Sequence, residues 1–145
     1  MKRPSQDQYE SAAALRTGLR RFLSRTERVT RSYGLTPERY ELLLLIKTST
    51  DGEPTVGKLG ERMCIGQSAA TQLARRVEDL GLIERTVSPR DARVHPLRLT
   101  EEGERRLAGA LSALSREQTV LASSLVPVLN VLQPARGAQD VGQDG

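Results

Sequence analysis

Two short amphipathic segments joined by a three-residue connector, with a basic hairpin pattern directly after them, constrain this chain more than any other feature. Apolar spacing and turn residues predict a helix over 55–64, a connector over 65–67, a second helix over 67–80, and two strands over 82–87 and 94–99. Gly81 ends the second helix and residues 88–91 form a turn. This order predicts a helix-turn-helix motif followed by a β-hairpin wing.

The second helix of this motif has two chemically different faces. Its apolar stripe, which predicts burial, consists of Ala70, Leu73, Ala74, Val77 and Leu80. A helix that reads duplex DNA must bury one face and offer hydrogen-bonding groups on the other. The residues that meet the second requirement are Gln67, Ser68, Thr71, Gln72, Arg75 and Arg76. The alternative for the two arginines is an ordinary solvated helix face.

The hairpin concentrates positive charge. Residues 85–98 hold four arginines (Arg85, Arg90, Arg93 and Arg98) against Asp91 alone, a local charge of +3, whereas the whole chain of 145 residues carries only +4. An arginine at a hairpin tip suits a narrow minor groove, and Asp91 lies where it can orient the Arg93 guanidinium. We therefore predict that Arg90, Asp91 and Arg93 belong to the DNA-binding site together with the six polar residues of the second helix. Alternatively, Arg90 is only a phosphate contact or solvated, and Arg85 pairs with a nearby acid.

Long helices are predicted on both sides of this motif. The first covers about 8–32, and Thr36 caps another that begins at Pro37. After Thr100, leucines at spacings of four and three form a near-heptad seam, which Pro127 is expected to break near residue 125. The seam covers either intramolecular core or a second copy of the chain, and we favour the second copy. The predicted dimer contacts are Leu15, Leu19, Phe22, Leu107, Leu111, Leu114, Leu121 and Leu125.

The composition argues against several classes of protein. With one cysteine, Cys64, and one histidine, His95, the chain offers no Cys/His metal site and no familiar nucleophile–base pair, so we predict no enzyme activity, no metal and no cofactor. Cys64, between Met63 and Ile65, is expected to be a buried, inert thiol. The N-terminus does not resemble a signal peptide, and no apolar run is long enough to span a bilayer. We therefore expect a cytoplasmic location and no membrane partner.

An ordered set of motifs resembles the MarR (multiple-antibiotic-resistance regulator) family. The matches are GLIER at 81–85, DxR at 91–93 and LxLTxxG at 97–103. The resemblance implies a mainly α fold with a small β-wing, in which a winged helix-turn-helix domain is flanked by dimerisation helices. The implied regions are an N-terminal dimerisation helix (1–34), the DNA-binding domain (35–100), C-terminal dimerisation helices (101–133) and a flexible tail (134–145).

The same resemblance implies a function. Members of the MarR family are homodimers that place two recognition helices in successive major grooves of a pseudo-palindrome. The resemblance also implies that Arg93 is the minor-groove arginine and Asp91 its orienting partner. We expect a transcription regulator, a repressor by preference, that binds double-stranded DNA and is released by a small aromatic or lipophilic effector. The alternative is a winged-helix module for protein–protein assembly without specific DNA binding.

Overall fold

The computed structural model describes residues 3–133, so the predicted tail at 134–145 lies outside the described residues. The described chain is mainly helical with a small antiparallel sheet, which confirms the predicted fold class. Its elements in chain order are α1 (Gln6–Ser32), α2 (Pro37–Lys47), α3 (Val56–Arg62), α4 (Gln67–Asp79), β1 (Ile83–Arg85), β2 (Leu97–Leu99) and α5 (Glu101–Leu132).

Threonine caps begin α2 and α3, and the cap at Thr36 is the one that the sequence predicts. The Thr36 hydroxyl accepts a hydrogen bond from the Arg39 N–H at 3.3 Å, and Pro37 occupies the first turn of α2, where its missing N–H costs nothing. The Thr55 hydroxyl accepts from the Lys58 N–H at 3.4 Å and begins α3. These caps satisfy amide groups that have no partner inside the helix.

Helices α3 and α4 approach each other closely at Gly60. A Cβ on this glycine would lie 2.9 Å from the Ala70 Cβ, so only glycine allows the two helices this separation. Gly57, in the same helix, faces open space. The close helix packing therefore depends on Gly60 and not on Gly57.

The described chain divides into two compact units, and the larger, Arg25–Ser115, contains the main core. The core side chains come from α2, α3, α4, both strands and the first half of α5. Leu107 and Leu114 belong to it and are only 5% and 1% exposed. Their assignment to the dimer interface is therefore wrong, because these positions of the seam face the interior of their own chain.

The junction between α4, the sheet and α5 lies inside this unit. The Leu82 carbonyl accepts a hydrogen bond from the Thr100 N–H at 3.0 Å. The Thr100 hydroxyl donates to the Gly81 carbonyl at 2.6 Å and accepts from the Gly103 N–H at 3.1 Å. Gly103 is buried directly against the Leu82 backbone, so the first turn of α5 is fixed to the end of α4.

The smaller unit consists of Met1–Ser24 and Arg116–Gly145, of which the structure describes 3–24 and 116–133. Here α1 and α5 meet at Gly18, where an added Cβ would lie 3.8 Å from the Ser124 Oγ and 3.9 Å from the Leu121 Cδ1. Leu15, Phe22, Leu121 and Leu125 are half-buried. Many other apolar side chains of this unit remain exposed.

Helix α5 continues through Pro127, so the predicted division into two C-terminal helices is wrong. Proline removes one N–H and deprives the carbonyl four residues earlier of its usual partner. That carbonyl belongs to Ser123, an exposed residue at which water can supply the missing hydrogen bond. Val128, directly after the proline, is 8% exposed and lies within the continuous helix.

Cys64 is exposed, so the prediction of a buried thiol is also wrong. The residue follows the end of α3 and has a φ of 55°, in the left-handed region that rarely accommodates a side chain. This conformation ends the helix, and the Ile65 N–H donates instead to the Gly60 carbonyl at 3.0 Å. Met63 and Ile65 are half-buried on either side of the exposed Cys64, so sequence neighbours misled the prediction.

The fit at Gly103 predicts a large effect of a single methyl group. In Gly103→Ala the new Cβ would lie 2.0 Å from the Leu82 carbonyl oxygen, and we expect a loss of about 3 kcal/mol in the free energy of unfolding. Gly57→Ala is the matched control, since it adds the same group in open space within a helix and should stabilise by up to about 1 kcal/mol. Urea unfolding at equal protomer concentration measures both; equal stability of Gly103→Ala and the native chain would contradict the close fit.

Candidate nucleic-acid interface

Helix α4 presents the predicted polar face to solvent. Ala70, Ala74 and Val77 are buried on its inner side, and Leu73 is half-buried. Leu80, which was predicted to complete the apolar stripe, is 44% exposed because it ends the helix beyond the packed region. Of the six predicted contact residues, Thr71 is half-buried and the others, Gln67, Ser68, Gln72, Arg75 and Arg76, are exposed.

The α4 arginines keep their charges available. Among the salt bridges within residues 3–133, none involves Arg75 or Arg76, although both lie one turn or less from Glu78 and Asp79. Gly66, the N-cap residue before α4, has no side chain that could accept a hydrogen bond from the first turn. The outer face of α4 therefore offers two unpaired guanidinium groups together with amide and hydroxyl groups, the donor and acceptor set that major-groove edges require.

The wing consists of a short antiparallel β-ladder, and two further backbone hydrogen bonds join its two arms toward the tip. Strand β1 pairs with β2 in the register Ile83 with Leu99 and Arg85 with Leu97, so both strands are shorter than predicted. Pro96 has no N–H to donate and ends the regular ladder. Beyond it the Thr86 N–H donates to the Pro96 carbonyl at 2.8 Å, and the Ser88 N–H donates to the Val94 carbonyl at 3.0 Å.

At the tip of the wing, Asp91 holds Arg93 in the arrangement that the sequence predicts. The Asp91 carboxylate accepts from the Arg93 backbone N–H at 3.0 Å and from its Nε at 3.2 Å. These two hydrogen bonds, the backbone bond first, lower the pKa of the Asp91 carboxyl below its ordinary value of 3.8. The Arg93 side chain is 91% exposed, so its guanidinium is oriented by the aspartate yet fully open to a ligand.

The arginines at the base of the wing have acidic partners. Arg85 pairs with Glu78 of α4 at 3.2 Å, and the Arg98 Nε donates to Glu84 on the opposite strand at 2.9 Å. Both acids lie outside the 85–98 window used to count the hairpin charge. Arg90, at the tip, forms no salt bridge within the described residues. The tip of the wing therefore carries the unpaired Arg90 and the 91% exposed Arg93, whose partner Asp91 belongs to the same turn.

Sequence reasoning missed two residues that support this tip. Ser88 is buried, and its hydroxyl donates to the Glu53 carboxylate while accepting from the N–H groups of Arg90 at 3.1 Å and Asp91 at 3.4 Å. The Ser-Pro pair at 88–89 indicated a turn. Nothing in the sequence indicated Glu53, which lies 35 residues earlier in the loop between α2 and α3.

This architecture, with an outward-facing second helix and a wing whose exposed charge lies at the tip, defines a winged helix-turn-helix protein. Residues 35–95 match the model of the MarR family. Over 87 residues the chain is 38% identical to the HTH-type transcriptional repressor MdtR of Bacillus subtilis (strain 168), an alignment that covers 57% of this chain and 55% of the relative. The chain thus spans little more than half the length of that relative.

Solved structures agree with this assignment. A MarR family protein from Bacillus stearothermophilus is 28% identical, with a TM-score of 0.69 over 86% of this chain and 84% of that one. S. aureus MepR, in a complex with DNA, has the same fold, with a TM-score of 0.66 at 21% identity over 82% of this chain and 87% of that one. The match to the MarR family thus covers residues 35–95, and a solved MarR family protein shares the fold. In the described part of the chain, no helix has the length and apolarity to cross a membrane.

The geometry at Asp91 predicts an acidic titration that depends on Arg93. Because the pKa is lowered, the carboxylate should stay bound to Arg93 at neutral pH and lose this interaction only as the pH falls through the lowered pKa. Arg93→Ala should raise the pKa but leave it below 3.8, since the backbone N–H remains. Carbon-detected NMR titration measures this, with Arg90→Ala as the control that leaves the pKa nearly unchanged. An Asp91 pKa at or above 3.8 in the native chain would contradict the described contact.

Proposed function

We propose that this chain is a cytoplasmic transcription repressor that binds a pseudo-palindromic site in double-stranded DNA as a homodimer. The observation that carries the proposal is the exposed positive charge that the outer face of α4 and the tip of the wing present. Arg75, Arg76 and Arg90 are exposed there without a salt bridge, and Arg93 is 91% exposed although it pairs with Asp91. An exposed helix beside a charged hairpin tip fits a major groove and its adjacent minor groove.

The comparisons support this proposal in two ways. The curated relative MdtR is named a transcriptional repressor, and the alignment includes more than half of this chain. The fold is also one in which S. aureus MepR has been solved in a complex with DNA. In this proposal Gln67, Ser68, Thr71 and Gln72 join the α4 arginines at base edges and phosphates, and Asp91 orients Arg93 without contacting DNA itself.

The homodimer is supported by the exposed apolar surface of the smaller unit. Eight of the eleven exposed large apolar side chains in the described residues belong to it, namely Tyr9, Leu19, Leu23, Val120, Val126, Leu129, Val131 and Leu132. Apolar surface on this scale favours burial against a partner, and an identical chain is the simplest one. The proposed contacts retain Leu15, Leu19, Phe22, Leu111, Leu121 and Leu125 from the sequence prediction. Release of DNA by a small aromatic or lipophilic effector stays a prediction from the family resemblance.

The proposed function is tested by fluorescence anisotropy with duplex DNA from immediately upstream of the chain's own gene, at two salt concentrations, beside a scrambled duplex. We expect tight, salt-sensitive binding that prefers the native duplex, with two chains per site, because phosphate contacts release counterions. Equal and weak binding to both duplexes would leave only non-specific charge attraction. That result would favour the assembly-module alternative.

Arg93→Ala should weaken binding to the native duplex about tenfold or more, from roughly 1–3 kcal/mol of lost interaction. Arg85→Ala is the matched control, because it removes the same charge from the base of the same wing, where the side chain is 37% exposed and paired with Glu78 of α4, whereas Arg93 is 91% exposed at the tip. We expect it to weaken binding by about threefold or less, since a charge that an acid holds at the base of the wing adds little to the attraction. Equal effects of the two substitutions, measured in the same anisotropy assay, would refute the assignment of Arg93.

Leu19→Gln combined with Leu23→Gln should convert the dimer to monomers. The two side chains lie one helical turn apart and are 46% and 54% exposed, and loss of their burial should raise the dimer dissociation constant by about a hundredfold or more. Leu80→Gln, at a leucine of similar exposure in the larger unit, is the control and should remain dimeric. Sedimentation velocity at equal concentration distinguishes them; a double variant that still sediments as a dimer would place the interface elsewhere.

A further inference from the structure

The wing tip is tied to the helix-turn-helix by one side-chain bridge. The Ser88 hydroxyl, in the 5% exposed side chain at the start of the turn, donates to the carboxylate of the half-buried Glu53. Glu53 belongs to the loop between α2 and α3, so the bridge connects elements far apart in sequence. Besides this bridge, the Leu97 N–H donates to the Pro54 carbonyl at 2.9 Å and holds the same loop beside β2.

The loop is itself anchored to α3. The Asp51 carboxylate accepts from the Glu53 N–H at 3.0 Å and from the Lys58 Nζ at 2.6 Å. Lys58 also donates to the Glu53 carbonyl at 3.4 Å. Glu53 is therefore held at its backbone by a residue of the first helix of the helix-turn-helix, and its carboxylate is directed at the wing.

On the other side of the bridge, Ser88 organises the turn that carries Arg93. Its oxygen accepts the N–H groups of Arg90 and Asp91, and Asp91 in turn accepts the backbone N–H and the Nε of Arg93. A continuous series of hydrogen bonds thus runs from Lys58 to the exposed guanidinium. The paired strands contribute only three residues each, and a hairpin of this length has little stability of its own.

We infer that Glu53 and Ser88 are positioning residues that fix the direction in which the wing presents Arg93 to the minor groove. The inference rests on the proposed DNA-binding function and extends it to residues that do not contact DNA. A guanidinium that is 91% exposed gains no orientation from packing. Its direction must come from the turn beneath it, and a preorganised turn reduces the entropy lost on binding.

A double-mutant cycle tests the inference with the native duplex in the anisotropy assay. Ser88→Ala leaves the charge of the protein unchanged and should weaken binding about three- to tenfold, the effect of one lost hydrogen bond. In the Arg93→Ala background the same substitution should cost almost nothing, because there is no longer an arginine to position. Equal losses in both backgrounds, or no loss in either, would overturn the inference.

Two substitutions at Glu53 separate hydrogen bonding from charge. Glu53→Gln and Glu53→Ala both remove a negative charge near DNA, a change that by itself favours binding. Glu53→Gln retains an oxygen that can accept from Ser88, whereas Glu53→Ala does not. We expect Glu53→Ala to bind about three- to tenfold more weakly than Glu53→Gln. Indistinguishable affinities would argue against the bridge.

A measurement without DNA distinguishes failure of this inference from failure of the proposed function. In the free protein the amide hydrogens of Arg90 and Asp91 should exchange with solvent at least several-fold faster in Ser88→Ala than in the native chain, because their acceptor is lost. Val94, whose N–H donates to the Asp91 carbonyl within the same turn at 3.0 Å, reports whether the whole tip opens. If the native chain does not bind duplex DNA but exchange is faster in Ser88→Ala, the proposed function is wrong and the role of the bridge in the turn is supported. If the native chain binds duplex DNA and exchange is the same in Ser88→Ala, only the inference about the bridge is wrong.

Discussion

The packing of Gly103 against the Leu82 backbone is the contact on which the rest of the larger unit depends. At this point the end of α4, the first strand of the wing and the first turn of α5 come within van der Waals distance of one another. Thr100 reinforces the contact by bonding to Gly81 on one side and Gly103 on the other. The direction in which the wing leaves the helix-turn-helix is thereby set by backbone geometry, which side-chain rotation cannot relax.

The arginines of the wing and of α4 differ in their acidic partners and in their exposure. Those at the base of the wing are neutralised by Glu78 and Glu84, so they hold the hairpin together and contribute little unpaired charge. The tip carries the unpaired Arg90 and the 91% exposed Arg93, and the outer face of α4 carries the unpaired Arg75 and Arg76. Because electrostatic attraction to a phosphate backbone depends on where unpaired charge lies, the local arrangement matters more than the net +4 of the chain.

Features that depend on neighbouring residues could be predicted from the sequence, whereas features that depend on distant partners could not. The α4 face, the Thr36 cap and the Asp91–Arg93 pair depend on residues within four positions of one another, so helical period and turn chemistry sufficed. The core positions Leu107 and Leu114 and the Glu53–Ser88 bridge depend on partners distant in the chain. A seam of leucines looks the same whether it covers its own core or a second copy.

The sequence by itself determined the order of the elements, the polar face of the second helix and the arginine at the wing tip, because each follows from local periodicity, capping and spacing. Only the tertiary structure decided which arginines stay unpaired, that α5 runs through Pro127, that Cys64 faces solvent, and which loop supports the wing. These features depend on contacts between residues that are distant in the sequence. The sequence shows which side chains are present, but only the folded structure shows which of them are in contact.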